Sequence, residues 1–455
     1  VTLRVPALIV GGGISGLVCA HALRTAGVDA LLLEAAARPG GSIHSESRNG
    51  YLLEHGPQSF TSTVQLLALC SELGIEGEIV KAPPHAPRYV LVNGALRRVS
   101  LSPPAFLTSN LVGLGTKWAI ARDVFGKSRA PEQDESVADF VRRKFSTELL
   151  DRLVGPFVSG VHAGDPERLS LRSSFPMLHD AEERKGSVIR GMMTKTGKEP
   201  QQRPTLLGFR SGMQTLPGTL SARLADGLRL NARVTRVESD DAGAAFKISI
   251  QMAAGPEETV LADNLVIATP TEVAGNLLRE LSPSFDSLLG AIEYAPIAVV
   301  SLGYRRTDVG HGLTGFGFLV PRSAGLRVLG TVWNSSLFAG RAPDGHVLVT
   351  SFVGGATDPH AVNVQAEELA SLVHGEIAPL LAIRQPPKFS NVTIYPRALP
   401  QYNVGHAERL AAIEGQRTNF PNLWLTGNYL RGPSIGACVE QSLGVTKQIL
   451  SRTRR

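Results

Sequence analysis

The chain has 455 residues, 43% of them apolar and 19% charged, which excludes wholesale disorder and predicts two or three domains rather than one core. Its three cysteines, Cys19, Cys70 and Cys438, are too few and too widely spaced for a disulfide framework or a metal site, so a reducing compartment is expected. The net charge of +6 comes without any Lys/Arg block and with only 6% aromatics, which argues against nucleic acid and leaves an anionic small molecule or anionic lipid as partner.

Apolar Val5–Val10 predicts a buried strand that begins almost at the first residue, leaving no n-region or cleavage site for a secretory signal. Gly11-x-Gly13-x-x-Gly16 follows it directly and opens a helix that ends near Gly27. Val28–Leu33 is a second buried strand, closed by Glu34 about 20 residues beyond the glycines. In such a unit Gly11 allows the tight turn and Gly13 admits a pyrophosphate. Gly16 lets the helix pack close to the sheet, and the helix N-terminus favours the diphosphate charge. A carboxylate at Glu34 accepts from ribose hydroxyls. Strand, glycines, helix, strand and acid in this register predict a dinucleotide-binding βαβ unit, for NAD or FAD.

ARPGGSIHSES (37–47) and LEHGPQSF (53–60) follow. GFRSGMQTLPGTLSARL (208–224) predicts a helix after Gly212, and NARVTRVES (231–239) a strand with a hairpin turn at 240–243. NLVIATP (264–270) predicts a buried strand ending at Thr-Pro. Residues 95–200 read as mostly helical, broken by polar loops at 127–136 and 194–204. Residues 280–395 alternate strand-like runs such as IAVVSLGYR (297–305) with a helix near 363–382, which predicts a sheet with one helix over it. No run of about 18 apolar residues occurs, so no transmembrane helix is expected. LTSNLVGLGTKWAIARDVF (107–125) suits either a core-facing helix or a membrane surface. At the end, NLWLT (422–426) predicts a strand, and a helix starts at Ser434 with no acidic side chain in its first turn, Ile435-Gly436-Ala437.

The run LEAAARPGGSIHS resembles the flavin amine oxidase-type superfamily, where an RxGG loop lies over FAD. Within it, PRYVLVNGAL (87–96), GPFVSGVHAGDPERLS (155–170), GFGFLVPR (315–322), LGTVWNSS (329–336), TSFVGG (350–355) and GNYLRGPSIGACVEQSL (427–443) are together similar to the protoporphyrinogen oxidase family. That resemblance implies an α/β fold: a discontinuous Rossmann-like FAD-binding domain (1–85, 205–275 and 395–455), an α+β substrate domain (86–94 and 280–394) and a helical membrane-facing domain (95–200).

It also implies a site. Gly11, Gly12, Gly13, Ile14, Ser15, Gly16, Glu34, Ala35, Arg38, Gly41, Ser42, Gly56, Pro57, Gln58, Ser59, Val234, Gly427, Ile435, Gly436 and Ala437 would hold non-covalent FAD. The last helix would aim its N-terminus at the pyrimidine edge of the flavin. Arg88 would pair with a substrate propionate, a match of guanidinium and carboxylate, while Leu319, Val332 and Phe352 sandwich the tetrapyrrole. Gly160, which the residues alone place in a turn, would approach the reacting carbon. Cys438 reads as a buried helix residue rather than a flavin attachment point. The implied reaction is a six-electron oxidation of protoporphyrinogen IX with O₂ as acceptor, needing no metal and no catalytic side chain beyond the flavin. Partners are the tetrapyrrole and O₂, with peripheral contact to a cytoplasmic membrane and a homodimer left open. Alternatives are a coproporphyrinogen III oxidase, a flavin amine oxidase and a non-catalytic flavoprotein. The second is disfavoured because no lysine occurs between Lys247 and Lys388.

Overall fold

A computed structural model describes residues 3–99, 109, 111–126, 130–193, 205–239, 245–253 and 255–453. The polar loop expected at 194–204, the hairpin turn at 240–243 and parts of 107–110 and 127–129 lie outside them.

The first sheet has seven strands. Leu228–Arg229, Ala30–Leu33, Leu3–Val10 and Glu257–Ile267 run side by side in parallel, and Leu423–Leu425 joins the carboxyl end of Glu257–Ile267, also parallel. The amino end of Glu257–Ile267 pairs antiparallel with Phe246–Met252, which pairs in turn with Ala232–Ser239. These last two meet at Ser239 and Phe246, on either side of the expected turn. Leu3–Val10 and Ala30–Leu33 are apolar almost throughout because helices and further chain cover both faces of a parallel sheet. Helix Ile14–Thr25 buries Leu17, Val18 and Leu23 against it and ends before Gly27, whose φ of 84° suits a glycine. The final helix, Ile435–Thr453, packs beside it and shares the same core through Val439 and Ile449.

The second sheet also has seven strands, in the order Phe389–Pro400, Tyr294–Arg305, His346–Gly354, Val328–Val332, Gly317–Leu319, Arg88–Val92 and Ala95–Val99. Only the Gly317–Leu319/Arg88–Val92 pair is parallel. Helix Ala366–Leu381 covers one face, over Phe318, Trp333, Val349 and Val353.

Two details correct the expected boundaries. Ala95–Val99 is a strand of this sheet rather than the start of a helical insertion. The two-residue turn Asn93-Gly94, with φ of 50° and 75°, folds it back on Arg88–Val92 as a hairpin. Phe389–Pro400 continues past 394, held along its length by Tyr294–Arg305.

Short helices occupy 114–125 and much of 137–193. Their interior carries charge: Lys144 Nζ sits 2.7 Å from Asp123 Oδ1 and 3.2 Å from Glu182 Oε1, all three buried. Such a cluster holds only because each charge is paired. Among the described residues no helix is long and apolar enough to cross a membrane, so the expected membrane-facing character of this unit gains no support from a spanning helix.

Candidate functional site

The carboxyl ends of the parallel strands build the first half of the site, the usual ligand edge of such sheets. Gly11 N–H donates to Leu33 O at 2.8 Å and Ala268 N–H to Val10 O at 2.8 Å, while Thr426 N–H donates to Ile267 O at 3.0 Å. Gly11 has φ of 107°, and a side chain there would strike Ala268 O at 2.9 Å. At Gly16 a Cβ would lie 1.9 Å from Gly11 O, so the helix can sit on the turn only without one. Glu34 reaches back into the turn. Its Oε2 accepts Gly12 N–H at 2.6 Å and its Oε1 accepts Ala36 N–H at 2.7 Å. Each oxygen keeps a lone pair for a ligand hydroxyl.

The second wall is the RPGG loop. Gly40 N–H donates to Gly12 O at 2.8 Å, and Gly13 and Gly40 face each other as a parallel bridge. Gly13 has nothing within 4 Å of where its Cβ would be. Arg38 does not extend away from this loop. Its guanidinium donates to Gly41 O at 2.7 Å and Pro39 O at 3.2 Å and so braces the turn. Gly56 packs on Ser42, where a Cβ would lie 2.0 Å from the carbonyl oxygen. Gln58 spends its amide on Glu54 O, Gly56 O and Asn334, the last at 2.6 Å. Ala35 is exposed, and Ile14, Pro57 and Ser59 are half-buried along the same edge. Buried Ser15 hydrogen-bonds Cys438, joining the first helix to the last. Val234 is buried in the same core cluster as Val10 and Leu33.

The final helix supplies the third wall. Ser434 caps it: Ala437 N–H donates to Ser434 Oγ at 3.2 Å and Cys438 N–H to Ser434 O at 3.0 Å. Ala437 therefore has no amide to offer, and the open donors of the first turn, among the described residues, are Ile435 and Gly436. Gly436 turns its missing side chain to Thr63, 2.7 Å from Cγ2, which lets this helix end approach the 56–63 segment. At Gly427 a Cβ would meet the Tyr429 ring at 2.8 Å. Cys19, Cys70 and Cys438 are all unpaired and buried, and burial raises the Cys438 thiol.

On its other face the second sheet meets helix Gly155–His162 at Leu319, and Val332 is buried there among Ala82, Leu337 and Phe338. Leu319, Gly330 and Phe352 lie in one row, and Arg88, Gly317, Val332 and Thr350 in the next. The two-residue period therefore puts Arg88, Leu319, Val332 and Phe352 on the same face, opposite the one covered by helix Ala366–Leu381. Arg88 is exposed at its strand's start, its guanidinium 5.5 Å from the centre of the Phe316 ring. Gly160 lies in helix Gly155–His162 rather than in a turn. A π-helical turn, Leu150–Val154, leads into it beside Pro156, which has no N–H to continue the α-helical ladder. A Cβ on Gly160 would fall 2.3 Å from Leu319 Cδ2.

Residue-by-residue reading passes over the links between the two halves. Buried Glu54 pairs with buried Arg341 at 3.2 Å and accepts from Ser45 and Met213 N–H, while Arg341 donates to Phe209 O at 3.0 Å. Burial pushes the Glu54 carboxyl up to about 7 against the pull of Ser45 and Arg341. Nothing local marks these residues, although a Glu ending the apolar run YLL is a weak signal.

The residues present fit FAD. Gly13 and the two glycines at 40–41 form a cradle of bare backbone that any Cβ at Gly13 would fill. Glu34 supplies the acceptors for a ribose, and a helix end offers two free amides for an electron-rich ring.

Residues 14–450 match the family described as Flavin containing amine oxidoreductase. The chloroplastic protoporphyrinogen oxidase of Oryza sativa subsp. japonica is 35% identical over 97% of this chain and 87% of that protein. The coproporphyrinogen III oxidase of Bacillus subtilis (strain 168) is 27% identical over 98% of this chain and 97% of its own. Among solved structures, one from Exiguobacterium sp. 255-15 superposes with a TM-score of 0.82 at 23% identity, covering 99% of each chain. Wild-type putrescine oxidase bound to putrescine gives 0.72 at 19% identity, covering 99% of this chain and 100% of its own. With a family match over nearly its whole length and a relative above 30% identity, the chain belongs to the flavin containing amine oxidoreductases.

Proposed function

We propose that this enzyme uses FAD to oxidise protoporphyrinogen IX to protoporphyrin IX in haem biosynthesis. The observation that carries the reading is the sheet face on which Arg88, Leu319, Val332 and Phe352 stand together, with Gly160 laid across it. That face is apolar across Leu319, Val332 and Phe352 and carries guanidinium groups at its far edge, Arg88 and, opposite Val90, Arg97. It suits a flat macrocycle with carboxylate arms, and it offers no lysine to an amine substrate.

FAD, when bound, takes up two electrons at a time and passes them to O₂, so a six-electron oxidation needs three rounds and releases H₂O₂. The chain's own residues bind and orient. Gly11–Gly16 and the RPGG loop hold the diphosphate, Glu34 the ribose, and the free amides of Ile435 and Gly436 the pyrimidine edge. Arg88 pairs with a propionate, while Leu319, Val332 and Phe352 exclude water from the rings. Gly160, having no side chain, lets its helix close on Leu319 beside the macrocycle. The unit around the first sheet would thus hold the cofactor and the second sheet the substrate.

Helix Leu114–Phe125 supports peripheral membrane contact. Leu114, Trp118 and Phe125 share one face of it and are 82%, 65% and 83% exposed. Such a face suits the headgroup boundary, and co-sedimentation with anionic vesicles tests it; a Trp118→Ser/Phe125→Ser variant should stay in solution.

The deciding experiment for function is turnover of the two-carboxylate and four-carboxylate porphyrinogens, followed by porphyrin fluorescence. Faster oxidation of the two-carboxylate substrate is expected. Preference for the four-carboxylate one would make the chain a coproporphyrinogen III oxidase. Failure of either to bleach the bound flavin under nitrogen would leave a non-catalytic flavoprotein.

A further inference from the structure

The segment from Gln401 to His406 runs between the second sheet and helix His406–Arg417, and it touches the helix that carries Gly160, the helical insertion and the turn before the last helix. Gln401 Nε2 donates to His162 O at 3.0 Å, at the end of the helix that carries Gly160. Tyr402 O accepts Ser170 N–H at 2.8 Å, from the helical insertion. The Tyr402 hydroxyl then donates to Asn428 O and accepts Gly432 N–H at 2.9 Å. His406 stacks on the Tyr402 ring, with centroids 4.4 Å apart and planes 11° from parallel. His406 Nε2 lies 3.0 Å from Tyr429 O. A carbonyl only accepts, so the proton of the neutral ring is on Nε2.

One stacked pair therefore holds two consecutive carbonyls, Asn428 and Tyr429, and the N–H of Gly432. These groups belong to the turn that delivers the chain from Leu423–Leu425 to Ser434 and the open amides of Ile435 and Gly436. Among the described residues no other side chain binds these three groups. The arrangement is costly. Tyr402 and His406 are 2% and 1% exposed, and His406 Nδ1 is buried without a partner. Two apolar rings would fill the same space without burying an orphan nitrogen, so packing alone does not account for the polar atoms.

We infer that Tyr402 and His406 are positioning residues for the flavin: by clamping the 428–432 turn they fix how closely the Ile435 and Gly436 amides meet the ring. The stabilisation of charge by a helix end fades within one turn, so a small recession of this helix start weakens it. The inference rests on the reading that this helix end faces the flavin.

The test uses the FAD-loaded protein. Tyr402→Phe keeps the stacked ring and removes the hydroxyl. It should retain bound flavin, with a dissociation constant for FAD raised about fivefold. Its two-electron midpoint potential should be more negative, and KM for the porphyrinogen unchanged. His406→Leu should shift the potential the same way. His406→Gln, whose side-chain amide can donate from the place of Nε2, should restore it. A flavin-loaded Tyr402→Phe and His406→Leu with the wild-type potential would overturn the inference. If Tyr402→Phe does not fold, the His406→Leu and His406→Gln pair decides on its own: equal potentials overturn the inference, and separation upholds it. Wild-type protein that takes up no FAD would instead bring down the reading beneath it.

Discussion

Leu319 occupies the space that a side chain on Gly160 would need: its Cδ2 lies 2.3 Å from the Cβ position of that glycine and 3.0 Å from the Cβ position of Gly330. One leucine on a strand thus fills the gap left by two glycines, one on the same sheet and one on the helix that crosses it. Because the colliding atom is the end of a flexible side chain, Gly160→Ala should fold and displace Leu319 rather than the helix. We expect kcat/KM for the porphyrinogen to fall about tenfold, since overpacking costs about 1–3 kcal/mol. The flavin spectrum should be unaltered. Leu319→Ala placed in the same chain should recover part of the loss, which a double-mutant cycle measures.

Arg88 offers its guanidinium on the same face, 5.5 Å from the centre of the Phe316 ring. Arg88→Ala should raise KM about tenfold or more, the loss of one charge-assisted pairing, and leave FAD content unchanged. Steady-state kinetics beside a flavin absorbance spectrum check both halves. Lost flavin would move this residue out of the substrate site.

Glu34 takes two backbone N–H groups, from Gly12 and Ala36, and so shapes the turn. Glu34→Gln should weaken FAD binding about tenfold, because one acceptor becomes a donor and the charge is removed. Fluorescence titration of the apoprotein with FAD gives the constant.

His162 is buried edge-on against Phe175, and burial lowers its imidazole to about 4. The unfolded ring protonates near about 6.5, so between these values the unfolded chain binds the proton and the folded one does not. Its share of stability is complete above about 6.5 and is lost as pH falls towards 4, by up to about 3 kcal/mol. His406, lowered to about 4 chiefly by burial, adds in the same direction. Melting temperature should therefore drop over this window, and His162→Phe should flatten the slope.

Much of this could be read from local pattern. Val5–Glu34 carries a strand, three spaced glycines, a helix and an acid, and each has its place in the structure because the turn depends on neighbours within a few residues. Alternation in 315–322, 329–336 and 350–355 likewise settles which side chains share a face once the strands pair. What escaped the sequence depends on distant partners. Arg38 turns to its own loop's carbonyls, Ser434 takes the Ala437 amide, and Gln58 is tied to Asn334 by a contact across 276 positions. Gly160 reads as a turn residue because glycine and the nearby Pro156 are poor helix formers, yet the sheet beneath supports a helix there.

We propose that bare backbone around Gly13 cradles FAD, a claim that flavin loading of Gly13→Val beside the wild type tests directly. Since nothing lies within 4 Å of that Cβ position, the variant should keep the circular dichroism and melting profile of the wild-type apoprotein. The wild-type protein should bind one FAD and be yellow, and the variant should be colourless even with FAD in excess. A yellow variant, or a folded wild-type protein that takes up no FAD, would contradict the claim.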